Sequence, residues 1–184
     1  MSLKQLGFIF NPIKCINCRA CEIACKNENF SKGNTYWKRL IKVDDNEFIP
    51  ISCNHCQTPE CSRVCPENAF IKRIDGIVTI DESRCNGCKL CIDACPFHAI
   101  AYNNETSKVS KCEMCVSRVD NNLQPACVAA CSTSALRIEN LYDIDIKNYT
   151  RQYKDYPSLL ITNPSLVFKK EPIKVRKHFF INKN

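Results

Sequence analysis

Sixteen cysteines gathered into four short groups constrain this chain more than any other feature. The groups are Cys15, Cys18, Cys21 and Cys25; Cys53, Cys56, Cys61 and Cys65; Cys85, Cys88, Cys91 and Cys95; and Cys112, Cys115, Cys127 and Cys131. Their internal gaps run 2-2-3, 2-4-3, 2-2-3 and 2-11-3, so each group opens Cys-x2-Cys and closes Cys-x3-Cys. No cysteine lies outside them, and the pattern is an internal repeat. A small chain this rich in cysteine is either stapled by disulfides or built around metal. Neighbouring thiols in tight Cys-x2-Cys spacing make a poor disulfide framework, which leaves metal.

The third group, RCNGCKLCIDACP, has the Cys-x2-Cys-x2-Cys-x3-Cys-Pro run of bacterial iron–sulfur ligand sets. Three thiolates two residues apart lie on one loop and hold three corners of a cubane, while backbone N–H groups face the sulfides. The fourth cysteine is expected to start the following helix and face another way. In two-cluster ferredoxins it ligates the other cluster. Pro66 and Pro96 constrain the exit of the polypeptide after Cys65 and Cys95. Structural zinc is the competing reading, and the fourth group alone has its two-pair style. In the first and third groups three evenly spaced thiolates plus a fourth overfill one tetrahedral site. A thioredoxin-like pair needs a single Cys-x-x-Cys in an α/β pattern. Every group keeps all four cysteines, so four [4Fe–4S] clusters are expected, with no [3Fe–4S] site and no ligand role for His55 or His98.

Lysine and arginine exceed aspartate and glutamate by 26 to 19, a formal net charge of +7. Four clusters with their thiolates carry roughly −2 each. The basic excess is therefore read as balance for buried anionic clusters, and no nucleic-acid partner is expected. Lys14, Arg19, Arg84, Lys89 and Lys111 flank ligands. They would raise local reduction potentials or stand as solvated charges. No run approaches the about 18 apolar residues of a membrane helix. The first residues show neither an apolar leader nor a twin-arginine pair. The expectation is a soluble protein, or one held at a membrane by a partner.

Asp75-Gly76 separates two β-rich runs, residues 70–74 and 77–80, and predicts a hairpin. GFIF before the first group and HAIAYN after the third read as strands, and CIDAC and CVAAC as short helices. The repeated order is strand, cysteine loop, short helix, strand. Tyr36 and the single tryptophan, Trp37, read as packing residues. Residues 141–184 carry no cysteine and are spaced by prolines. They are expected to form an extended C-terminal arm that binds a partner, with a tail packed on its own subunit as the alternative.

Four stretches carry a family resemblance: GFIFNPIKCINCRACEIACKNEN, then residues 51–96, YNNETSKVSKCEMCVSRV and PACVAAC. Over residues 6–140 the sequence resembles the four-cluster, ferredoxin-like electron-transfer subunits of molybdopterin oxidoreductases, of the dimethyl sulfoxide and polysulfide reductase type. The resemblance implies an α+β fold of two nested ferredoxin-like modules with a pseudo-twofold repeat, one from residues 1–30 with 108–140 and one from 50–107. It implies ligand sets Cys15, Cys18, Cys21, Cys131; Cys112, Cys115, Cys127, Cys25; Cys53, Cys56, Cys61, Cys95; and Cys85, Cys88, Cys91, Cys65. It also implies a non-catalytic relay between a large molybdopterin catalytic subunit, carrying molybdenum or tungsten, and an integral-membrane quinone-binding subunit. Membrane association would then run through those partners. Extracytoplasmic placement by co-export with a twin-arginine catalytic subunit is favoured over cytoplasmic. Lys26 and Ser132 depart from the proline that follows the last cysteine in two-cluster ferredoxins. The alternatives are a relay in a formate dehydrogenase–hydrogenase complex and a free polyferredoxin.

A protein so rich in short loops buries little core, so cluster binding is expected to supply much of its folding free energy. Removing the iron should unfold most of the protein. Circular dichroism of the iron-free form checks this, and a native-like spectrum would refute it.

Overall fold

The computed structural model describes residues 4–29, 36–44, 47–154, 156–157 and 161–170. Its organising element is β1 (Leu6–Phe10), whose last four residues are all buried. Such a strand does not alternate inside and outside, because it lies between two neighbours and is covered on both faces. Its neighbours are β8 (Leu136–Asn140), antiparallel with Phe8 opposite Ile138, and β10 (Leu166–Lys169), parallel with Phe8 opposite Leu166. The short β9 (Tyr149–Thr150) completes the order β8-β1-β10-β9.

Three hairpins surround this sheet. They are β2 (Arg39–Asp44) with β3 (Glu47–Ile51), β4 (Phe70–Lys72) with β5 (Val78–Ile80), and β6 (Ile100–Asn103) with β7 (Lys108–Lys111). The turn signal at Asp75-Gly76 is observed, with strands shorter than the sequence pattern implied. Ile77 donates to the Asp75 carboxylate at 3.2 Å, and Gly76 takes φ +86°. The Asp75 carbonyl is then free to accept the Leu6 amide at 2.7 Å, which ties the turn to β1.

The helices are α1 (Ala20–Glu28), α2 (Glu60–Arg63), α3 (Leu90–Ala94), α4 (Val116–Val119) and α5 (Ala126–Ala129). Helices of four or five residues have no stability of their own, so tertiary contacts hold them. α1 packs on α5, and α2 on α3. The closing cysteines do not start these helices as expected. Cys61, Cys91 and Cys127 lie inside α2, α3 and α5, while Cys65, Cys95 and Cys131 follow them. The reason is length: Cys-x3-Cys spans about one helical turn, so the helix fits between the two thiols. In the first group α1 holds both Cys21 and Cys25.

A common turn follows three of the closing cysteines. The amides of Asn68, His98 and Ser134 donate to the carbonyls of Cys65, Cys95 and Cys131 at 3.3, 3.0 and 3.0 Å. Each of the three takes a left-handed φ, of 48°, 46° and 52°. A buried alanine follows each (Ala69, Ala99, Ala135), and then β4, β6 or β8 begins.

The expected arm over 141–184 is not what residues 161–170 form. Val167 and Phe168 in β10 are fully buried. Thr58 and Gln57 donate to the carbonyls of Thr162 and Asn163 at 3.1 and 2.9 Å, and Ser165 donates to that of Asn54 at 2.9 Å. The Leu166–Phe168 apolar run finds its hydrogen bonds on β1 and its cover in the protein's own core. The remainder of the arm, 171–184, lies outside the described residues. Phe168 stacks on Tyr153 at 4.6 Å and meets Tyr156 and Phe10 edge-on at 5.4 and 6.3 Å. Phe168→Ala should therefore cost about 3–5 kcal/mol. Denaturant unfolding of the cluster-loaded protein, followed by its visible absorbance, checks this as a lower midpoint.

Candidate metal centres

Each group opens on a loop with the same bend. The residue before the second cysteine is left-handed in all four: Asn17, His55, Gly87 and Met114, with φ of 54°, 44°, 74° and 57°. A left-handed residue in such a loop turns successive N–H groups to one side and makes a concave anion cradle. Gly87 is required for a second reason, since a Cβ there would lie 2.2 Å from the Ser107 carbonyl oxygen. Direct N–H donors also reach sulfur, from Ala69 to Cys65, Met114 to Cys112 and Leu136 to Cys131, each at 3.4 Å.

The cysteines face shared cavities drawn from more than one group. Cys53, Cys56 and Cys61 line a cavity of about 380 Å³ with Cys95. Cys85, Cys88 and Cys91 line one of about 290 Å³ with Cys65. Cys15, Cys18 and Cys21 line one of about 370 Å³ with Cys131. Each volume counts all space between the atoms and includes the part open to solvent. Cys25 raises the pKa of Cys112 and of Cys127, and Cys115 raises that of Cys25 and of Cys127, so these thiols lie within electrostatic reach, as Cys53 does of Cys112 and Cys21 of Cys127. Among the described residues, no three Cys, His, Asp or Glu side chains converge to grip a single metal ion. The thiols stand around the cavities instead, as ligands to a cluster do.

Burial favours the protonated form of several of these thiols, Cys56, Cys61, Cys91, Cys112 and Cys127 among them. It pushes Cys56 and Cys127 up to about 12 and Cys91 up to about 11, with neighbouring cysteines adding to the rise in each. Two lysines oppose it. Lys38 and Lys111 are each 1% exposed, and their charge lowers the thiols around them. Lys38 donates to Ser52 Oγ at 3.0 Å and lies 4.5 Å from the Phe8 ring centroid. Lys111 donates to the carbonyls of Val78 and Cys112. His55 is fully buried, and its Nδ1 accepts the Val78 amide at 3.0 Å. Burial, then Lys111, Lys38 and Lys72, hold it well below the ordinary histidine range, so it is neutral.

Comparison with known proteins agrees with this chemistry. A 4Fe–4S dicluster domain matches residues 44–141, and a 4Fe–4S binding domain matches residues 13–33. The sequence is 35% identical over 181 residues to YnfG, a probable anaerobic dimethyl sulfoxide reductase component of Escherichia coli, covering 90% of this protein and 88% of that one. It is 33% identical over 184 residues to an anaerobic dimethyl sulfoxide reductase component of Haemophilus influenzae, covering 91% and 90%. It is 35% identical over 162 residues to the thiosulfate reductase electron transfer subunit PhsB of Salmonella typhi, covering 83% and 84%. The protein belongs to the iron–sulfur electron-transfer subunits of the dimethyl sulfoxide reductase type.

As a member of that family it binds [4Fe–4S] clusters and carries electrons without being catalytic in itself. Among the described residues no helix is long and apolar enough to cross a membrane. Of the flanking cations singled out in the sequence, Lys14, Arg19, Arg84 and Lys89 are exposed and Lys111 is buried. Arg19 pairs with Glu22 and Arg84 with Asp81, both at 3.2 Å, and Lys89 lies 3.9 Å over the Tyr102 ring. Lys38 was not legible, because no cysteine lies within ten residues of it and only folding brings it to the thiols. Trp37 is a packing residue, buried with its indole N–H donating to Ser110 Oγ at 3.1 Å.

An unperturbed thiol titrates near 8.5 and Cys56, Cys91 and Cys127 near 11–12, so without clusters these three contribute stability to the folded state below about pH 8.5, and that contribution is lost as pH rises toward 12. Cluster ligation requires thiolates. Loading the cavities at pH 7 should therefore release protons. A pH indicator in weakly buffered reconstitution checks this, with acidification expected and a flat trace excluding thiolate ligation.

Proposed function

We propose that this subunit holds four [4Fe–4S] clusters and relays single electrons between a large molybdopterin catalytic subunit and a quinone-linked integral-membrane subunit in anaerobic respiration. The observation that carries it is the crossing of cysteine groups. In each of three cavities, three cysteines of one group meet the closing cysteine of another. The proposed ligand sets follow that crossing: Cys15, Cys18, Cys21 and Cys131; Cys112, Cys115, Cys127 and Cys25; Cys53, Cys56, Cys61 and Cys95; Cys85, Cys88, Cys91 and Cys65. Bound there, each cluster supplies a one-electron couple.

The packing of α1 on α5 and of α2 on α3 supports two nested ferredoxin-like modules. One would comprise residues 1–30 with 108–140 and the other 50–107, with a C-terminal extension from 141. Phe70, Val78, Cys91, Ile100 and Val109 form one buried cluster, almost wholly within the second module, while a larger cluster is shared by both. Cys53, Cys112 and Cys127 sit in one buried cluster with Phe8, Phe10 and Phe168.

The protein's own residues hold and insulate the relay. Buried apolar side chains exclude water around the inner thiols, while Cys18 and Cys88 reach the surface. Around Cys18 stand Ile13, Ile16 and Ile23, 55–66% exposed, and beside Cys88 stands Leu90 at 51%. Apolar side chains at exposed thiols fit faces that a partner covers. The face at Cys15 and Cys18 is assigned to the catalytic subunit. Membrane association would come from the partners, with extracytoplasmic placement by co-export with the catalytic subunit favoured.

Iron analysis with low-temperature electron paramagnetic resonance of the isolated complex tests the proposal. About sixteen irons per subunit are expected, and about eight would refute four clusters. The subunit should co-purify with a large molybdopterin protein, and isolation as a lone carrier would refute the partner assignment.

A further inference from the structure

The cavity lined by Cys53, Cys56, Cys61 and Cys95 takes part of its wall from far downstream, at Thr162. Residues 161–165 run along the second cysteine loop and are bonded to it. The Thr58 amide donates to the Thr162 carbonyl at 3.1 Å, and the Gln57 amide to the Asn163 carbonyl at 2.9 Å. Thr58 Oγ1 donates to the Ile161 carbonyl at 3.1 Å, and the Asn163 side chain donates to Gln57 Oε1. The Ser165 amide and hydroxyl donate to the carbonyls of Asn54 and His55, both at 2.9 Å. Thr162 is thereby fixed against the stretch between Cys56 and Cys61. It is buried, and no nitrogen or oxygen of the protein accepts from its hydroxyl. A buried hydroxyl without an acceptor is costly. The other polar side chains of the cavity wall are engaged. Asn54 exchanges hydrogen bonds with Tyr156, Glu60 accepts from Arg63, and Lys111 donates to the carbonyls of Val78 and Cys112. The Thr162 hydroxyl is left to what the cavity holds. It also lies near Cys56: burial and Cys53 push that thiol up, and the Thr162 hydroxyl opposes them.

We propose that the Thr162 hydroxyl donates a hydrogen bond to a sulfur of the cluster held in this cavity by Cys53, Cys56, Cys61 and Cys95, and so raises that cluster's reduction potential. The proposal rests on the four-cluster reading above. A cubane bound there brings sulfur acceptors into the cavity that the hydroxyl borders. Reduction adds an electron to an anionic cluster and makes its sulfurs better acceptors, so the bond stabilises the reduced form more than the oxidised one. The donor is well suited to hold one direction. Threonine is stiff at χ1, and its backbone is bonded to the ligand loop itself. The segment continues into β10, whose register on β1 sets Leu166 opposite Phe8. The C-terminal segment thus closes the sheet and, through one hydroxyl, sets the surroundings of one cluster. Thr162 lies well past the last cysteine, so ligand spacing gives no sign of it.

The test is a redox titration of the isolated complex, followed by electron paramagnetic resonance, for Thr162→Val and Thr162→Ser. Valine keeps the shape and removes the hydroxyl, and one couple should fall by about threefold or more in its reduction equilibrium, about 28 mV for one electron. The remaining couples should stay in place. Serine keeps the hydroxyl and should retain the wild-type potentials. The couple that falls should be the one whose signal is altered or lost in Cys56→Ser, and a shift in a different couple would overturn the proposal. Unchanged potentials in Thr162→Val at full iron content would overturn it, as would an equal shift in Thr162→Ser. If Thr162→Val fails to retain iron, retention in Thr162→Ser supports the hydroxyl's role, and loss in both overturns it in favour of packing. Iron content of the wild-type protein tests the four-cluster reading separately, and potentials are compared only at equal iron content.

Discussion

The fold is arranged around thiols gathered about shared cavities. A buried thiol gains little from hydrogen bonding, and a buried thiolate without a counter-charge is costly. The structure places such thiols around shared cavities and surrounds them with N–H donors and with the two ammonium groups of Lys38 and Lys111. The helices between them are too short to persist unaided. Their positions depend on which thiols must face which cavity. The cluster sites are therefore the core of the molecule, and the conventional apolar packing of Phe8, Phe10, Phe97, Tyr156 and Phe168 fills what lies between and behind them.

The sheet shows how distant parts of the sequence serve that core. β1 precedes the first cysteine group, β8 follows the last, and β10 comes some thirty residues later, yet all three are adjacent. β10 also hydrogen-bonds, through Ser165, to the loop carrying Asn54 and His55. Asn54 in turn exchanges hydrogen bonds with Tyr156, whose phenol burial raises above its ordinary range. The second cysteine loop is thus braced from behind by residues far downstream. A truncation before residue 161 would expose β1 on one edge and release this loop, even though no cysteine is removed.

Local signals in the sequence were reliable where the structure is local. The strand before Cys15, the turn at Asp75-Gly76, the strand after Cys95 and short helices in the Cys-x3-Cys stretches are all present. The signals failed where a long-range contact decides. The helix lies between the third and fourth cysteines, because one turn spans that gap. The β2–β3 hairpin gave no clear turn signal. Leu166–Lys169 looked like part of an arm because a strand buried on both faces has the same composition as an apolar docking segment. Its partner, β1, lies some 160 residues away. Lys38 gave no signal in the sequence, because no cysteine lies within ten residues of it. Cysteine spacing made the candidate ligands legible. The charges set against them were legible only at Lys111, which adjoins Cys112.

The basic excess of the protein has a spatial explanation that composition alone does not supply. Most of the cations among the described residues are exposed, and some are tied in local pairs, such as Arg63 with Glu60 and the half-buried Arg73 with Asp75 and Asp120. Pairs of that kind are worth little and do not bear on buried anions. Among the described residues Lys38 and Lys111 are the buried lysines, so charge compensation of the buried thiols is uneven. Thiols near Lys38 and Lys111 have a buried positive charge beside them, while the exposed Cys18 and Cys88 face water or whatever covers them. A partner that docks over Ile13, Ile16 and Ile23 would remove that water. Assembly would then change the surroundings of the exposed thiols while leaving those of the buried ones as they are.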